Sequence, residues 1–96
     1  MRLFAFLKRN KHVETAEERR ARLLAKGRIT DGYIIDNETK EDGSEIVQYS
    51  YNVNGAEFES SETLTDDQRQ ERVKYAPGAS VAVRYEPNNH GNSIIV

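Results

Sequence analysis

The side chains able to do acid, base or metal chemistry are few and scattered. His12 and His90 are the two imidazoles; they lie in different segments, and without a cysteine no thiolate joins either in a zinc site. His90, within the polar stretch from Asn88 to Asn92, reads as an exposed turn residue. Ser50, Ser60 and Ser61 are hydroxyl nucleophiles with Glu57, Glu59 and Glu62 close in sequence, but nucleophilic catalysis needs a base within hydrogen-bond reach and a third group to orient it. The spacing assures neither, and the glutamates read as the exposed, charge-protected face of a strand. Asp42 and Gly43 look like part of a calcium loop, yet Lys40 falls at a ligand position and Tyr49 stands where the bidentate glutamate belongs. There is no glycine-rich phosphate loop and no nucleophile elbow. The chain reads as noncatalytic and without a cofactor.

Charge is more informative. Residues 1–28 carry nine Lys or Arg against three Glu, a net of +6, and residues 29–96 carry five against thirteen acidic residues, a net of −8. This reads as a basic arm and helix over residues 1–27 attached to a small acidic β domain over residues 28–96. The candidate contact residues are Leu3, Phe4, Phe6 and Leu7, the cations Lys8, Arg9 and Lys11 that follow, and Arg19, Arg22 and Lys26 on one face of a helix. Apolar residues followed by cations suit a protein partner or an anionic membrane surface. The same groups suit single-stranded nucleic acid, although the acidic domain would repel phosphates everywhere but at the arm. A third reading is a homo-oligomeric component paired through an open strand edge. Opposite charges within one chain also attract each other without any partner, so the arm folding back on its own domain stays open, with Met1 to Leu7 as a packed strand or short helix.

No apolar run reaches the ~20 residues of a membrane-spanning helix. The opening residues lack the charge order and cleavage site of a secretory signal, so the location reads as cytoplasmic, with the arm able to reach a membrane as a peripheral contact.

These residues must be positioned by a small sheet. Thr15 and Glu18 form a capping box that starts a helix over about Ala16 to Lys26, with Glu18 and Arg22 spaced as an i,i+4 pair and Gly27 as a left-handed stop. Its apolar stripe is thin, which predicts weak packing and wide exposure. From Arg28 the hydrophobic period changes to two. Strand one covers about Arg28 to Asp36, with Ile29, Tyr33 and Ile35 on one face, Ile34 on the other, and Gly32 marking a bulge or bend. Strand two, Glu45 to Val53, alternates Val47, Tyr49, Tyr51 and Val53 against polar residues, and Asn54-Gly55 sets a two-residue hairpin. That register opposes Tyr51 to Phe58 and Tyr49 to Ser60, which predicts that the aromatics form a core and not an open ligand platform. A second capping box, Thr65 with Gln68, opens a helix through about Lys74; strand four runs from Ser80 to Tyr85, a loop from Pro87 to Asn92, and a last strand from Ser93 to Val96. The expected fold is mainly β: a small antiparallel five-stranded barrel or curled sheet, with an N-terminal helix and a short helix between strands three and four.

The run Tyr49, Tyr51, Val53, Gly55, followed by Pro77, Gly78, Val81, Val83, Tyr85 and Pro87, resembles the bacterial family called domain of unknown function 3592. The similarity covers roughly Gly27 to the end. It implies an all-β domain, often found beside membrane-spanning helices, and brings no activity with it. His90 stands where members often have a second proline, which predicts a different closing loop.

Overall fold

The computed structural model describes residues 13–96. Helix α1, Ala16–Lys26, begins at Thr15, whose hydroxyl accepts from the Glu18 N–H at 3.1 Å while the Glu18 carboxylate accepts from the Thr15 N–H at 2.9 Å. The capping box and both helix ends are those the sequence predicts. Gly27 stops the helix in extended geometry (φ −71°, ψ 153°) and not in the left-handed one, because the chain passes straight into a strand.

Five strands follow: β1 Arg28–Thr39, β2 Glu45–Val53, β3 Ala56–Thr63, β4 Ser80–Glu86 and β5 Asn89–Ile95, with the single-turn helix α2, Asp66–Arg69, between β3 and β4. All pair antiparallel in the order β3-β2-β1-β4-β5, and the sheet curls until β3 and β5 lie side by side. The result is a nearly closed barrel. The β2–β3 hairpin has the register set by Asn54-Gly55, with Tyr51 opposite Phe58 and Tyr49 opposite Ser60, and both turn residues have positive φ (52° and 89°).

The inward face is continuous. Ile34, Val47, Tyr49, Tyr51, Val53, Val81, Val83, Tyr85 and Ile95 are buried together, with Leu64 and Tyr75 closing one end. Gly32 sits among them in regular register with Tyr51 and Val81; the ladder irregularity falls at Ile35, between Ile34 and Asp36. Gly32 serves close approach instead: a Cβ there would lie 2.6 Å from the Ser50 carbonyl oxygen and 2.8 Å from Val83 Cγ2.

Three boundaries differ from the sequence reading. β1 runs on to Thr39, because polar residues past the bulge still pair with β2. α2 stops at Arg69 instead of near Lys74, since Val73 stays 87% exposed and no apolar face holds a longer helix against the barrel. β5 begins at Asn89, leaving Pro87 and Asn88 as a two-residue turn, so His90 lies in a strand with its ring edge-on to Tyr85 and Phe58 at 5.2 and 6.3 Å.

Candidate functional site

The barrel interior is filled by the rings that the sequence places on one face. Tyr49, Tyr51 and Phe58 stack in a row with centroids 5.9 and 5.6 Å apart. The two tyrosine hydroxyls are engaged: Tyr49 Oη lies 2.7 Å from Ser93 Oγ, and Tyr51 Oη donates to the His90 carbonyl at 2.5 Å. Burial pushes the Tyr49 phenol up to about 12, against the milder downward effect of the Ser93 hydrogen bond. Among the described residues this interior is packing.

The predicted cationic face of α1 does not face solvent as a unit. Arg19 donates through Nε to Asn92 Oδ1 at 2.8 Å and through Nη2 to the Ser93 carbonyl at 2.6 Å, and its Nη1 stands 3.5 Å from Glu62. Arg20 donates to the Ile95 carbonyl at 2.9 Å. Arg22 pairs with Glu14 at 2.7 Å and with Glu86; the two carboxylates hold its guanidinium above its usual range, and Arg22 in turn draws the Glu14 carboxyl below its own. Lys26 remains exposed in the last turn of the helix. The expected thin apolar contact and wide exposure of α1 stand, with Leu23 its one buried residue, but the attachment is stronger than that stripe implies, because the arginines tie the helix to β4, β5 and the end of β3. Leu3, Phe4, Phe6, Leu7, Lys8, Arg9 and Lys11 lie outside the described residues.

Glu62 also departs from the expected exposed acidic face. Its position in β3 is opposite Val47, whereas Glu57 and Glu59 stay exposed. Burial raises the Glu62 pKa, with Arg19 and Arg20 opposing the rise.

The sequence reading missed the outer face of β1. There Ile29, Tyr33 and Ile35 are 62%, 49% and 40% exposed, opposite the buried Ile34. They were legible as one alternating face; which face points outward was not, because both carry isoleucine. Ser50 pairs with Tyr33 on this side of the sheet and is buried, with no hydrogen-bond partner for its hydroxyl among the described residues. A solvent-open cleft on the other side of the molecule, lined by Ala16, Arg19, Arg20, Glu62, Thr63 and Thr65, separates α1 from the end of β3. No group of three or more potential metal ligands occurs among the described residues, and no helix among them is long and apolar enough to cross a membrane.

Searches of curated proteins and of solved structures returned no match. The family described as domain of unknown function (DUF3592) matches residues 25–96, which takes in all five strands and leaves most of α1 outside. With a match over three quarters of its length and the expected five-stranded architecture, the chain belongs to the DUF3592 family of domains of unknown function.

Proposed function

We propose that this chain is a noncatalytic protein-interaction module, a rigid barrel that presents the outer face of β1 together with the basic N-terminal arm to a protein partner. The observation that carries the reading is the exposure of Ile29, Tyr33 and Ile35 on a strand at the centre of the sheet, where an apolar residue left in water forgoes its burial energy. Aromatic and branched aliphatic side chains on a rigid strand are the groups that dominate protein interfaces. The internal use of Arg19 and Arg22 also argues for a protein over an anionic membrane, because it removes two of the cations that would attract lipid headgroups.

The test is a comparison of the full chain with two variants, one carrying Tyr33→Glu and Ile35→Glu and one carrying Lys8→Ala, Arg9→Ala and Lys11→Ala. Each is assayed by affinity capture from cell extract and by co-sedimentation with anionic vesicles. A protein retained by the wild-type chain and lost with the β1 variant supports the reading. Salt-sensitive vesicle binding lost only with the arm variant, and no captured protein that depends on Tyr33 and Ile35, overturns it in favour of a peripheral membrane contact. Single-stranded oligonucleotide binding that depends on the arm would move it to the nucleic-acid reading.

A further inference from the structure

β5 is an edge strand, with β4 on one side and no ladder on the other. Along such an edge every second residue turns its backbone groups away from the sheet. The Val96 N–H donates to the Ala82 carbonyl on the β4 side, so Ser93 and Ile95 are the outward residues. Both of their carbonyls are taken by side chains. Arg19 reaches Ser93 at 2.6 Å, while Arg20 and Gln68 reach Ile95 at 2.9 and 3.2 Å. α1 thus supplies two of the three donors that stand where a neighbouring strand's would, and Gln68 of α2 supplies the third.

The helix also covers the side of β4 and β5 that faces away from the barrel interior. Arg84, opposite Ile94 in the ladder, donates to the Gly27 carbonyl at 3.1 Å. Leu23 and Ile94 are both buried, yet neither belongs to the interior cluster. An eleven-residue helix is marginal on its own in water, so these contacts hold it. Most of it lies outside the family match, whereas the edge that it covers lies inside.

We propose that the β5 edge from Asn92 to Ile95 is a docking site for an extended, arginine-bearing segment of a protein partner, and that α1 is the latch that fills this site in the free chain. The inference rests on the interaction-module reading and adds a second surface to it. The chemistry of the site names its occupant. Two outward carbonyls two residues apart accept from donors repeating along an extended chain at about 7 Å. Glu62 at the seam and Glu86 at the helix end call for cations, and each now faces an arginine. The forked, planar guanidinium satisfies a carbonyl and a carboxylate at once, as Arg19 does here, which lysine's single ammonium does less well. Ile94, buried while α1 is in place, receives an apolar side chain from the same segment once the helix has left.

The experiment uses full chains and labelled octapeptides that alternate valine with arginine, lysine or glutamate, read by fluorescence anisotropy. Leu23→Asp removes the helix anchor without touching the interior cluster, and Arg19→Ala with Arg20→Ala removes the donors that α1 supplies. Each variant is expected to bind the arginine peptide at least tenfold more tightly than the wild-type chain, to prefer it to the lysine peptide and to ignore the glutamate peptide. Glu62→Gln added to Leu23→Asp weakens that binding, and the peptide slows amide exchange at Ser93 and Ile95. Equal affinity for the wild-type and latch-free chains, or protection on any strand but β5, overturns the proposal. Native-state amide exchange of the wild-type chain decides the matter even where a variant fails to fold: α1 amides must open at least tenfold more readily than those of β1 and β2. Exchange of α1 only in the global unfolding step means that it is no latch. A partner that still depends on Tyr33 while these peptides fail to bind rejects the latch alone and leaves the proposed function standing.

Discussion

The Tyr49 hydroxyl and the Ser93 hydroxyl meet at 2.7 Å across the barrel interior, joining the middle of β2 to a strand 44 residues later in the chain. Both residues are fully buried, so neither group can turn to water if the other is removed. Tyr49→Phe should cost about 1 kcal/mol of stability, and Ser93→Ala a similar amount, because each leaves one buried hydroxyl short of a partner or takes one away. Urea unfolding of the two single variants and the double variant measures it, and the double variant should lose less than the sum.

Alkaline pH should destabilise the fold through the same residue. The folded pKa of Tyr49 is raised to about 12 from an ordinary value of 10, mainly by burial. Its contribution is therefore complete below pH 10 and is lost as pH rises towards 12. Tyrosinate absorbance should show Tyr49 ionising above the ordinary phenol range, and Tyr49→Phe should flatten the loss of stability between pH 10 and 12.

Gly32→Ala should destabilise the barrel although it adds only a methyl group. The new Cβ would meet the Ser50 carbonyl at 2.6 Å, and backbone in the ladder between β1 and β2 has little freedom to retreat. Overpacking of this kind costs about 1–3 kcal/mol, measurable as a lowered urea midpoint with unchanged slope.

Arg19→Gln should cost more at pH 7 than at pH 4. Glu62 has a raised folded pKa, set first by burial and held back by Arg19 and Arg20. A raised carboxyl pKa means stability that is complete below its ordinary value of 4.5 and is lost as pH rises through the folded value. Removing Arg19 moves that value further up and deepens the loss at neutral pH. Denaturant midpoints of both chains across pH 4–8 check it; a constant difference between them would contradict the coupling.

The sequence was most legible where local rules and tertiary structure agree. Thr15 with Glu18, Thr65 with Gln68, and Asn54 with Gly55 are short-range signals, and each forms as the residues dictate. The alternation of Val47, Tyr49, Tyr51 and Val53 gave the core face of β2 because the opposite face is polar. Local sequence is silent where a decision is made at long range. β1 carries isoleucine on both faces, so its outward side is set by the register with β2 and β4. The attachment of α1 depends on carbonyls of β5 more than seventy residues away, which no periodicity within the helix can reveal. His90 looked like a turn residue because Asn and Gly surround it, and only the two-residue turn at Pro87 and Asn88 places it beside Tyr85.

The outer face of β1 as a protein contact is tested most directly by placing a photo-crosslinking phenylalanine analogue at position 33 in cells, with the same analogue at position 52 as the control. Asn52 is exposed too, and the nearest residues on its own side of β2, Ser50 and Gln48, are polar. The account predicts a discrete protein adduct from position 33, absent from position 52 and lost when Ile35→Glu is added. No adduct from position 33, or the same adducts from both positions, would contradict it.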